Sequence, residues 1–220
     1  MSQKTVSTLS GKHILLSILM IISVRLLSIA ADRFVSQKAI SLMFAVNVMT
    51  AALIVYNWKL VDRHFKRSAA SLPDFFLFTG IGIITIALWS WVSARFLQAD
   101  MMLPDRLALI GIGYARPGML IAFSFMEACL LNIGFKNLTD RLDVRNKELQ
   151  AILFSAVLFG LFMTLLFTPP DFLLWVRTYL YWLVLTGILS YLYNQSHSII
   201  PGIVSVTLVH LAMMILTMIG

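Results

Sequence analysis

Charge is what this sequence has least of. Only 12% of its residues are Asp, Glu, Lys or Arg, against 60% that are hydrophobic. A water-soluble fold needs a more polar surface than that, so the composition points to an integral membrane protein. Cysteine is nearly absent: Cys129 stands alone, which rules out an internal disulfide, and its apolar setting marks it as a packing residue rather than a reactive thiol. Metal-ligand spacing is missing too. His13, His64 and His197 are placed at helix ends or in loops, none pairs with another histidine at i and i+4, and only His210 falls inside an apolar run. A zinc site needs about three such ligands, so neither a metal nor another cofactor is expected. There is no G-x-S-x-G elbow, internal repeat, low-complexity tract or soluble effector domain.

A formal charge of +7 would suit nucleic acid, but the basic residues lie in short stretches between apolar segments. There they set topology and meet anionic headgroups, so membrane lipid is the expected contact and nucleic acid is not.

Long apolar runs dominate the rest. They extend over Ile14 to Ala31, Ala39 to Tyr56, Phe75 to Phe96, Gly118 to Leu138, Leu149 to Phe167, Phe172 to Tyr193 and Ile199 to Ile219. The first exceeds an ordinary signal-peptide core, carries Arg25 and leads into further segments, so it reads as a retained helix. Leu107 to Pro117, broken by Gly111, Gly113, Arg116 and Pro117, is too short to cross and reads as an interfacial or re-entrant lead-in. The expected fold is all-α: a polytopic transmembrane helical bundle of about seven membrane segments. Residues 1–117 hold the N-terminal helices and the lead-in, and residues 118–220 a four-helix core, in one integral membrane domain.

Lys4, Lys12, Lys59, Arg63, Lys66, Arg67, Lys136, Arg141, Arg145 and Lys147 fall on one side of such a bundle. Arg33, Lys38, Arg95, Arg106 and Arg116 fall on the other. The larger set belongs to the cytoplasm, placing the N-terminus inside and the C-terminus outside a multi-pass cell-membrane protein.

Within the apolar runs one carboxylate stands out. Glu127 sits in GMLIAFSFMEACLLNIGFKNL, and an ionisable group near a bilayer centre costs about 2.5–3.5 kcal/mol on insertion scales, so it marks either function or a paired structural contact. Arg177, the only arginine in the sixth segment, is a candidate intramembrane partner. His210 is the other group able to meet Glu127 within the membrane. On residue type alone, a neutral or paired structural carboxyl and a catalytic one remain equally open.

The last hundred residues resemble the CPBP family of intramembrane proteases, the CAAX proteases and bacteriocin-processing enzymes also called Abi. The matching stretches are FMEACLLNIGF from Phe125, FGLFM from Phe159 and SIIPGIVSVTLV from Ser198. The family pattern, Glu-Glu-x-x-x-Arg, then Phe-x-x-x-His, then His-x-x-x-Asn, falls here on Met126, Glu127 and Leu131, on Phe159 and Met163, and on Ser205 and Val209. A shift of one turn offers His210 with Met214, still without Asn. The resemblance implies a CPBP-like core in the C-terminal half with degenerate motifs. It further implies a pseudo-protease that binds an integral membrane protein, such as a bacterial cell-wall enzyme or a sensor kinase. The alternatives are an active intramembrane peptidase with Glu127 as base and His210 as second group, and a small-molecule binder or transporter subunit.

Overall fold

The computed structural model describes residues 11–34, 38–97, 117–142, 148–167 and 171–219, and the statements of structure below concern these. The helices are α1 (Gly11–Ala31), α2 (Lys38–Tyr56), α3 (Trp58–Ala70), α4 (Leu72–Val92), α5 (Pro117–Leu142), α6 (Glu148–Phe167), α7 (Phe172–Ser196) and α8 (Ile200–Ile219). A π-helical turn, Ser93–Leu97, extends α4. No strand occurs among the described residues. All of the Leu107 to Pro117 lead-in except Pro117, which starts α5, lies outside them, as do Thr168, Pro169 and Pro170.

Leu72–Leu97 and Phe172–Ser196 are long and apolar enough to cross a bilayer, and α2 with α3 is a third candidate, bent by 80°. The outer surface agrees with that reading. Leu26, Ile84, Leu88, Trp91, Phe154, Leu165 and Leu216 are all well exposed, an arrangement that costs little against lipid and much against water. The protein is therefore an all-helical molecule that associates with a membrane.

Centrally placed is α5. From Glu127 to Gly134 every residue is buried, so this helix is enclosed on all sides, chiefly by α8, α2, α6 and α1. Helices from both halves of the chain share one core, since α4 packs on α8 and α7. Polar groups stitch the bundle together. Thr186 Oγ1 on α7 donates to the Ala156 carbonyl on α6 at 3.1 Å, Trp89 Nε1 on α4 to Tyr181 O on α7 at 3.1 Å, and Ser205 Oγ on α8 to Thr79 O on α4 at 3.0 Å. The α6–α7 seam is closest at Gly160, where a Cβ would stand 3.0 Å from Leu183 N and 3.1 Å from its Cα. Glycine there lets two backbones approach, as small residues do in membrane helices.

Three local features go beyond the apolar runs. The basic stretch after Tyr56 is a helix, α3, because its 3.6-residue periodicity buries Leu60, His64 and Ser68 on one side. The charged residues that follow the Glu127 run continue its helix to Leu142. The seventh helix runs to Ser196, and His197 closes it in the left-handed conformation, φ 53°. At the other end of α7 the Asp171 side chain caps the helix, accepting from Leu174 N at 2.8 Å.

Candidate functional site

The α5–α8 contact brings together two ionisable groups from apolar helices, Glu127 and His210. His210 Nδ1 lies 3.4 Å from Glu127 Oε2, with His210 fully buried and Glu127 7% exposed. That separation is ion-pair range but long for a charge-assisted hydrogen bond. Helix geometry explains the encounter. On α8, Gly202, Val206, Val209 and His210 fall on one face, and Ser205 falls on the next, turned to α4. The face is pinned lower down, where Asn132 packs its amide oxygen on Gly202 while Nδ2 donates to Ala128 O at 2.9 Å.

A carboxylate beside an imidazole can exchange a proton, the minimum for general acid–base work. Most of the other residues singled out in the sequence are apolar. Leu131 and Met163 are fully buried, Val209 is 3% exposed, Phe159 is buried with its ring against Gly134, and Met126 packs half-buried on the core. Ser205 is occupied elsewhere, donating to Thr79 O and to Pro201 O at 2.7 Å. Arg177 is half-buried near the start of α7, a helix that touches α5 only slightly. A cavity of about 250 Å³ opens between α1, α5 and α6, lined by Ile18, Ile21, Gly134, Leu158, Phe159 and Phe162 among others, and none of its lining residues belongs to the Glu127–His210 pair. Among the described residues no group of three or more His, Cys, Asp or Glu converges.

A second polar cluster lies where α3 meets the α7–α8 turn, and residue-by-residue reading of the sequence missed it. His64, read as a loop or helix-end histidine, is 6% exposed on the inner face of α3. Its ring lies edge-on to Tyr193 at 5.9 Å between centroids, and Lys136 Nζ sits 4.6 Å over the same Tyr193 ring. Around them Arg67 donates to His197 O at 3.1 Å, Ser68 Oγ to Ser198 Oγ at 2.9 Å and Ser198 Oγ to His64 O at 3.1 Å. Burial, then the cations Lys136, Arg67 and Arg63, push the His64 imidazole down to about 4, with only a hydrogen bond to the His197 backbone opposing them. A signal existed in the amphipathic spacing of WKLVDRHFKRS, but a search for long apolar runs passes over it.

Fold and site thus define a class: a membrane-associated bundle, helical throughout its described residues, with a buried acid–base pair in its interior. No protein-family model, curated protein or solved structure matches the chain.

Proposed function

We propose that the protein is a polytopic membrane protein of CPBP-like architecture whose catalytic positions have become core, and that it acts by binding another integral membrane protein. The observation that carries this reading is the filling of the interior. The positions aligned with the family's Arg, His and Asn hold Leu131, Met163 and Val209, all buried in the common core. Hydrolysis needs donors placed around the reacting carbonyl before the reaction starts, and such side chains supply none. In this reading α1, α2 and α4 to α8 make about seven crossings, with the N-terminus cytoplasmic and the C-terminus extracytoplasmic. The partner class is the one the resemblance implies, a bacterial cell-wall enzyme or a sensor kinase.

Crosslinking in native membrane, followed by mild solubilisation, tests it: a defined membrane-protein partner is expected to come along. Recovery of a monodisperse monomer alone would overturn the binding role.

The Glu127–His210 contact favours a second reading, an intramembrane peptidase with altered chemistry. It requires Glu127→Gln to abolish cleavage of a membrane or prenylated peptide. Unchanged cellular function of that variant at normal abundance removes the peptidase reading and leaves the binding one intact.

A further inference from the structure

The outer surface of α3 has no protein partner among the described residues, yet its composition is far from random. At about 100° per residue, its side chains divide into three sectors. Leu60, His64 and Ser68 face the bundle and are buried. Next to them, Val61, Trp58 and Phe65 form an apolar sector, with Trp58 60% and Phe65 62% exposed. On the remaining side stand Lys59, Arg63, Lys66 and Arg67, all exposed, with Asp62 as the sole acid on the helix. Asp62 is taken by Lys66, whose Nζ lies 2.8 Å from it. Arg67 holds the His197 carbonyl. That leaves Lys59 and Arg63, which form no hydrogen bond or ion pair with the other described residues, on the exposed sector about 100–160° around the helix from Trp58 and Phe65.

We propose that α3 is a docking surface for anionic phospholipid headgroups: Trp58 and Phe65 enter the acyl region while Lys59 and Arg63, on the polar side of the helix, reach the headgroup phosphates with their long side chains. The proposal rests on the membrane-embedded part of the reading above and not on the protein partner. Three features select a bilayer surface over a protein. The 80° bend between α2 and α3 turns α3 far out of line with α2. An exposed aromatic sector and a cationic polar side divide the outer surface of the helix, as in helices that rest in an interface plane. Finally, the charge on the free sector is of one sign, complementary to an acidic leaflet. The buried sector links this surface to the core, since Ser68 and the His64 carbonyl both bond Ser198 at the foot of α8, the helix that carries His210.

The test uses the full chain purified in detergent micelles and exposed to an equimolar mixture of phosphatidylglycerol and phosphatidylcholine, with retained lipid counted by native mass spectrometry. Retention is expected to favour phosphatidylglycerol, and each of Lys59→Gln and Arg63→Gln is expected to reduce that preference about fivefold. Trp58→Ala with Phe65→Ala should weaken retention of both lipids while preserving the preference. Equal retention of the two lipids by the unaltered chain overturns the proposal, as does a preference that survives Lys59→Gln with Arg63→Gln. Inorganic phosphate or glycerol phosphate, supplied without lipid, should neither stabilise the protein against heat nor displace phosphatidylglycerol. If either does so at millimolar concentration, the surface is a soluble-anion site and the bilayer assignment falls. Release of the chain from membranes by alkaline carbonate without detergent would instead sink the embedded reading, a result distinct from unselective retention.

Discussion

Two buried histidines, His210 and His64, sit in surroundings of opposite charge. His210 has a carboxylate 3.4 Å away, contributed by the buried middle of α5. His64 is nearly as well buried, but Lys136, Arg67 and Arg63 surround it. One imidazole is placed where a proton has somewhere to go, and the other where a proton is repelled. Burial alone therefore assigns neither role, and the sign of the neighbouring charge separates them. The first arrangement makes a buried acid–base pair that cannot lose one member cheaply. The second makes a neutral aromatic wedge that locks α3 to Tyr193 and to the α7–α8 turn.

The strongest way to break the comparison is to remove one half of the interior pair. Glu127→Leu takes the carboxylate from beside His210, and His210→Leu takes the imidazole from beside Glu127; each is expected to cost about 3 kcal/mol, since the remaining buried group loses that contact and keeps its desolvation penalty. Glu127→Leu with His210→Leu should recover most of that loss, because both polar groups leave together. Unfolding in mixed micelles, analysed as a double-mutant cycle, gives the coupling. Additive losses would mean that the two residues stand near one another without stabilising each other.

The cationic end makes a pH-dependent prediction of nearly the same size. Between pH 6.5 and about 4 the unfolded chain protonates His64 while the folded chain resists it. Stability is thus fully present above pH 6.5 and falls as pH drops through that window, by ~1.4 kcal/mol per unit and ~3 kcal/mol in all. His64→Gln, which cannot titrate, should flatten this part of the profile. An unchanged acid-side slope in that variant would show that His64 is not the group responsible.

A packing change supplies the contrast. Gly160→Ala pushes a methyl group onto the backbone of Leu183, and an overpacked helix seam of this kind costs about 1–3 kcal/mol. The loss should be the same at pH 7 and pH 5, because the α6–α7 seam is remote in kind from either charged cluster. A pH-dependent loss at Gly160 would mean that the bundle transmits strain to the His64 end.

How much of this was legible in the sequence depends on the length of chain over which a signal persists. The apolar runs predicted helices that the structure contains, because a long hydrophobic stretch needs no knowledge of its neighbours. Glu127 could be singled out for the same reason: a carboxylate inside such a run is conspicuous wherever the helices pack. Its partner could not be chosen between His210 and Arg177, since relative depth and helix rotation are properties of the assembled bundle. Likewise α3 was hidden, its thirteen residues being too charged to register as a span. Lys136 read only as one of the cations that set topology, because its burial depends on contacts such as that with Tyr193, fifty-seven positions away along the chain.

Lys136 also provides the finest test of the comparison. It lies over the Tyr193 ring at 4.6 Å, and an interaction of this type contributes about 0.5–1 kcal/mol at ordinary sites. Lys136→Met keeps the length of the side chain and removes its charge, so the stability change should be small. Its electrostatic consequence should be plain: after burial, Lys136 is the largest influence holding His64 near 4, so the variant is expected to raise the His64 midpoint part of the way back towards 6.5. It should not reach that value, because the desolvation and the two arginines remain. Imidazole resonances followed by NMR across pH, with His64→Gln identifying the signal, measure the shift directly. A midpoint that stays where it was would mean that burial alone keeps His64 neutral, and the opposition of charge sign between the two histidines would lose its cause.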